Sequence, residues 1–322
     1  MRLLLLLIAL FFINTKTFSQ SVDLGKYTDI VSEDKLQRII SFLSDDSAGG
    51  RATGSYEMTM VTAFLLERFR SIGIAPFYGR YTIRNFYLNN FAIGRNIVGL
   101  LPSKYRSDKY IVISAHYDHM GTLNGNIYNG ADDNASGVAA LLTIAEMFSK
   151  MRYDNHGPAY NIIFALFDGK ESNMIGSKKF LDELPIPTSD ILYNINIDQI
   201  GCTFAPPGKN ENYILTLADK DIRRDIRWRL DNMNVAHRLN LDIDHTFYGS
   251  ESFFDVFFNL SDQYNFSQRK IPSMLFTSGI HMHTYKQTDE HFFINYPVLA
   301  NRIKLIFLLT YDLLEKPYKI FS

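Results

Sequence analysis

Apolar positions recur at helical spacing near the start of the chain. Leu36, Ile39, Ile40 and Leu43 follow the polar stretch Ser32-Glu33-Asp34. The run MTMVTAFLLERFRSIG predicts a second helix that stops at Gly73. Short β-branched and apolar runs come next and predict strands: NIVGLL, YIVISAH, NIIFALFD, LYNINID, YILTL and PSMLFTS. Among them lie SGVAALLTIAEMFSK, MIGSKKFLDEL, DKDIRRDIRWRLDNM and PVLANRIKLIFLLTYDLLEK, which predict helices. Strand and helix alternate, and several strands are apolar throughout. The expected fold is therefore α/β, a single domain with a mostly parallel twisted sheet flanked by helices on both faces. In such sheets the working residues gather beyond the carboxyl ends of the strands.

The first twenty residues, MRLLLLLIALFFINTKTFSQ, have a different pattern. Arg2 gives a positive start, Leu3 to Ile13 an apolar run, and Thr17-Phe18-Ser19 a small-residue approach to cleavage near Gln20. This predicts a signal peptide over residues 1–19 and a single domain over 20–322. The expected location is exported, either periplasmic or extracellular. The apolar run is short for a membrane span, so no insertion is expected once the signal is removed; a retained N-terminal anchor is the alternative. The only cysteine is Cys202, which excludes an intramolecular disulfide. A net charge of −1 gives no electrostatic reason to expect nucleic acid as a partner.

Candidate chemistry sits at the strand ends. His116 and Asp118 follow YIVISA, and Asp132 and Asp133 lie in NGADDNASG just before a helix. Glu171 lies in FDGKES, and Asp198 closes LYNINID. A histidine and several carboxylates converging on one sheet edge form a ligand set for a divalent ion, most plausibly zinc. Each residue also has an ordinary reading. His116 alone would be a satisfied structural histidine, and Asp132 and Asp133 alone would cap the following helix. Taken together, in an alternating strand and helix chain, they favour a metal. His119 has weaker standing, and His156, His237, His245 and His291 read as surface or structural.

At SAHYDHMG and NGADDNASGVAALL the chain resembles the secreted zinc aminopeptidases of metallopeptidase family twenty-eight, relatives of bacterial leucyl aminopeptidase and glutaminyl cyclase. LSDDSAGGRATGS, FDGKESNMIGS, NIDQIG, SDQYNF and IPSMLFTSGIHMHTYKQTDE extend the resemblance over most of the chain. It implies an α/β fold of the zinc-peptidase and phosphorylase kind, with two zinc ions sharing a bridging aspartate. It further implies that His116, Asp132 and Asp198 hold one ion, with Asp132 bridging, and that Glu171 belongs to the second. Asp118 would orient His116 through its other ring nitrogen, and Asp133 would follow a cis peptide after Asp132.

Three positions depart from the family pattern. The general-base glutamate is replaced by Lys170, and the final zinc histidine falls on Tyr285. The SDH block reads Ser261-Asp262-Gln263. A protonated ammonium has no lone pair to accept a proton, so Lys170 is not a base at neutral pH. One zinc ion is therefore expected in preference to two. His281 or His283 are candidate substitutes for the missing ligand, and Asp168 for the base. The resemblance implies an exopeptidase-like hydrolase of aminopeptidase type, in which water activated at the metal attacks a peptide carbonyl. Lys170 and Tyr285 put that activity in doubt. The alternative is a catalytically inactive relative that binds a peptide or a protein partner. Glutaminyl cyclase chemistry comes third, because it too needs an acid/base where Lys170 stands.

Overall fold

The computed structural model describes residues 22–88, 92–203, 210–246 and 249–317. The expected signal peptide lies outside them. Among the described residues, no helix is long and apolar enough to cross a membrane.

The strands are β1 (Ala75–Pro76), β2 (Ile83–Tyr87), β3 (Ile93–Leu101), β4 (Tyr110–His116), β5 (Gly121–Leu123), β6 (Asn126–Tyr128), β7 (Asn161–Phe167), β8 (Ile191–Ile197), β9 (Tyr213–Ala218), β10 (Asp242–Asp244) and β11 (Ser273–Thr277). Nine of them form one sheet in the order β1-β3-β7-β4-β8-β11-β9-β10, with β2 also paired to β3; β5 and β6 form a separate hairpin. The centre of the sheet, β7-β4-β8-β11, is parallel throughout. Antiparallel strands flank it, β3 against β7 and β9 against β11. The carboxyl ends of the four central strands therefore share one edge.

The helices are α1 (Gly25–Thr28), α2 (Glu33–Leu43), α3 (Met58–Ser71), α4 (Gly137–Tyr153), α5 (Ile175–Asp182), α6 (Arg223–Ala236), α7 (Glu251–Phe258), α8 (Gln263–Ser267) and α9 (Tyr296–Glu315). Gly73, at φ +77°, follows the end of α3 and takes a turn that β-carbons disfavour, as the sequence predicts.

Strand alternation divides the core into two layers. Ile111, Ile113 and Ala115 of β4 pack in one cluster with Val138 and Leu142 of α4 and Leu305 and Leu309 of α9. Val112 faces the other way, into a cluster with Phe167, Phe180 of α5 and Phe266 of α8. Both faces of the sheet are covered, so all seven residues of β7 are buried and its sequence is apolar from Ile162 to Phe167. Each of these large side chains contributes roughly 1.5–3 kcal/mol by leaving water. The rigid edge that results carries the chemistry-bearing loops.

Candidate metal centre

His116 ends β4, Asp198 directly follows β8, and the loop containing Asp132 and Asp133 leads into α4. The turn after β7 carries Asp168, Lys170 and Glu171, and the segment after β11 carries His281 and Tyr285. His116 is fully buried. Its Nδ1–H donates to the backbone carbonyl of Asp118 at 3.0 Å. Nε2 is thereby aimed at Asp198 Oδ1, 3.2 Å away, and at Asp133 Oδ1, 3.4 Å away. The expected orienting contact from the Asp118 side chain is longer, 3.7 Å to Nδ1. That carboxylate instead accepts the backbone N–H groups of Lys170 and Glu171 at 3.0 and 3.1 Å, fixing the turn that bears them.

The aspartate that closes the cluster is Asp133. The expectation that Asp132 bridges is corrected by how its oxygens are used. Asp132 Oδ2 pairs with His281 Nε2 at 2.8 Å, and Oδ1 accepts from Ser136 Oγ at 2.8 Å and from the Gly201 N–H at 2.5 Å. Asp133 is equally buried, yet neither of its carboxylate oxygens has a hydrogen-bond donor. The cis peptide also lies one position later than expected, between Asp133 and Asn134. Burial opposes charge on Asp133, but Lys170 and His116 outweigh it and keep the carboxylate ionised.

Lys170 reaches into the middle of this cluster. Its Nζ lies 3.0 Å from Glu171 Oε1, 3.7 Å from Asp133 Oδ1 and 4.0 Å from Asp198 Oδ2. Tyr285 covers it from outside, with the hydroxyl 3.5 Å and the ring centre 5.6 Å from Nζ. Burial works against the ammonium, but Asp133, Asp198 and Glu171 prevail and raise its pKa well above the ordinary lysine value. Burial likewise raises the Tyr285 phenol above its ordinary value. Asp198 is braced from behind by Ser261 Oγ, which donates to Oδ2 at 2.6 Å. Gln263 accepts from Asn196 at 2.9 Å, and Asp262 is buried, accepts from Ser177, and is pushed up to about 6 by burial.

None of the three candidate substitutes takes a vacated role. His281 is bound to Asp132. His283 stacks on Phe293 with ring centres 4.1 Å apart. Asp168 is buried, accepts from Thr53 Oγ1 at 2.7 Å and the Arg95 N–H at 2.9 Å, and is pushed up to about 7 by burial and by Asp118.

Two residues that matter, Asp289 and Arg51, lie outside the sequence reading of the site, and a third, His119, has only weak standing in it. Asp289 accepts the N–H groups of Asp132 and Asp133 at 2.9 and 3.0 Å and so sets the ligand loop. Arg51, completely buried, donates to the carbonyls of Tyr117 (2.9 Å), Asn129 (2.6 Å) and Gly130 (2.8 Å), which ties that loop to the end of β4. His119 lies with Asp133 and Glu171, one donor atom from each falling within 4.8 Å of the others. Burial keeps His119 neutral, with its pKa pushed down to about 4.

The donor set fits one dication well. His116, Asp133 and Asp198 each offer an atom within 4.8 Å of the others, and the two undonated oxygens of Asp133 are buried acceptors that a dication would satisfy. On the other side of Asp133, Lys170 and Tyr285 stand where the family has its base and its last histidine, with the ammonium 3.0 Å from Glu171. Beside this cluster lies an open cleft with a cavity of about 90 Å³, lined by Phe257, Leu260, Leu275 and Ile280 together with Lys170 and Asp198. A larger cavity lined by Asp219, Phe254 and Lys270 lies at the opposite sheet edge, because β9 runs against β11.

The fold is similar to that of a zinc aminopeptidase from Bacillus subtilis, with a TM-score of 0.67, 13% identity and coverage of 90% of this chain and 97% of that one. It is similar too to LapB from Legionella pneumophila, at a TM-score of 0.69 and 20% identity over 91% of this chain and 75% of that one. In sequence, the chain is 37% identical to the human BOS complex subunit NCLN over 93 residues, 29% of this chain and 16% of that protein. The chain thus spans only 14% to 16% of the length of curated relatives it matches. The model of peptidase family M28 matches residues 96–310, from β3 through α9, and the chain belongs to that family.

Proposed function

We propose that this chain holds one zinc ion tightly through His116, Asp133 and Asp198 and uses the adjoining cleft to bind the N-terminal residue of a peptide. Lys170 slows peptide hydrolysis. The single observation that carries this reading is the position of Lys170 Nζ, within 4.0 Å of three carboxylates at the place where the family has its base. Zinc, when bound, supplies Lewis acidity that polarises a carbonyl and makes water a better nucleophile. The chain's own contribution is to orient and to hold. Asp133 and Asp198 offer oxygens to the ion, His116 offers Nε2, and Asp118 fixes the turn beneath Lys170. The apolar cleft walls suit an uncharged side chain. No proton is accepted at Lys170, and loss of a positioned base costs about 10²–10⁴ in rate. Glutaminyl cyclase chemistry meets the same obstacle.

A second reading is a protein partner in place of a short peptide. Leu260 and Ile280 line the cleft yet stay 56% and 49% exposed, and Phe253 and Met282 on the same segments are exposed as well. The match to a complex subunit favours the same reading. Export by a signal peptide belongs to the proposal. N-terminal sequencing of the mature protein should begin near Gln20.

The double variant Lys170→Glu, Tyr285→His tests the function. It should hydrolyse an aminoacyl p-nitroanilide about 10²–10⁴-fold faster than the parent. A parent that already matches the variant, and that a chelator inactivates, would show that Lys170 is no obstacle to catalysis.

A further inference from the structure

Asp133 faces two ways. Oδ1 looks toward His116 and Lys170, while Oδ2 looks toward His119, whose Nδ1 is 3.8 Å away. His119 has a fully buried side chain, and neither of its ring nitrogens has a hydrogen-bond partner. Buried polar atoms nearly always have a partner, so an imidazole with both nitrogens orphaned beside an undonated carboxylate needs an explanation. The ring is also fixed in place. The His119 backbone N–H donates to the Arg51 carbonyl at 3.0 Å, which holds the main chain beneath the ring. A β-carbon on Gly130, which sits at φ +58°, would come within 2.5 Å of the His119 ring, so the absence of a side chain there makes room for it.

Resting on the reading of His116, Asp133 and Asp198 as a metal site, we propose that His119, Asp133 and Glu171 form a second, weaker cation site, with His119 in place of the ligand lost at Tyr285. One nitrogen and two carboxylates suit a borderline dication such as zinc. Asp133 then serves both positions, one oxygen to each. The ammonium of Lys170, 3.0 Å from Glu171 and 3.7 Å from Asp133, makes the second position the weaker by repulsion. Two departures from the family pattern, Lys170 and Tyr285, thus leave a site that retains the tight ion and takes the second from a different direction.

Metal binding itself provides the test, with no activity readout. The parent, His119→Ala and His119→Phe are stripped with chelator and titrated with zinc alone. Bound metal is counted by elemental analysis and heat by calorimetry, and cobalt substitution gives the visible spectrum of each site. The parent should show one tight and one weaker event. Both His119 variants should keep the tight event, which also certifies their fold, and lose the weaker one. A weaker event that survives in both variants overturns the proposal, as does a parent with a tight event and no second. Loss of both events on changing His119 also overturns it, because His119 would then belong to the first site or to the fold. A parent with no tight event fails differently: it removes the metal reading itself, and Asp198→Asn reports on that independently by weakening only the tight event.

Discussion

Replacing Lys170 by Met removes the ammonium and keeps most of the stem that packs beneath Tyr285. Three carboxylates lose their common counter-charge, at 3.0 Å (Glu171), 3.7 Å (Asp133) and 4.0 Å (Asp198). At an effective dielectric of about 20, the gross attractions are about 6, 4 and 4 kcal/mol. Desolvation of the ammonium offsets much of that sum, and breaking a buried pair costs about 3–5 kcal/mol net. The metal-free variant should therefore unfold in urea with a stability about 3–5 kcal/mol below the metal-free parent. Zinc should reverse the difference, because a dication relieves the same repulsion and stabilises whichever state binds it. With zinc in excess, the variant should come within about 1 kcal/mol of the parent and hold the metal more tightly. A metal-free variant equal to the parent within about 0.5 kcal/mol would refute the electrostatic reasoning.

Asp289→Asn leaves the ligand loop with weaker acceptors for the Asp132 and Asp133 N–H groups, and competition with a chromogenic chelator should show zinc affinity lowered by about 10–100-fold. An unchanged affinity would mean that the loop is held without it. Asp168 supplies a pH dependence. Its carboxyl is pushed up to about 7 in the fold by burial and Asp118, against about 3.9 in an unfolded chain. Between those values the folded state keeps a proton that the unfolded state has lost. Its contribution is thus complete below about pH 4 and is lost as pH rises through about 7. Urea unfolding of the metal-free protein should show the parent losing stability relative to Asp168→Asn across that interval, by an amount on the order of 4 kcal/mol. Parallel pH profiles would contradict it.

Much of the fold was legible because each central strand and each covering helix obeys its own period. The six successive apolar residues of β7, Ile162 to Phe167, imply cover on both faces, and α5 and α4 provide it. The flanking strands were less legible. Nothing in YILTL reveals that β9 runs against β11, since alternation does not encode direction. At the site, His116, Glu171 and Asp198 could be placed because each follows a strand on the same edge. The choice between Asp132 and Asp133 could not be made locally. Both are acids in one loop, and what separates them is distant in sequence: His281 and Gly201 satisfy Asp132, and Lys170 keeps Asp133 charged. Arg51 was missed, and His119 given little weight, for a related reason. A buried arginine earns its place through carbonyls contributed by other loops, and an orphaned imidazole is visible only once its surroundings are known. The one available signal for His119 was its spacing, three residues after His116 in HYDH.

The central claim is that one half of the cluster grips a dication while Lys170 neutralises the other. Zinc content per chain, measured by elemental analysis after purification without added metal, tests it most directly. One ion per chain is expected, with Asp198→Asn reducing it. Two tightly held ions per chain, or none, would contradict it.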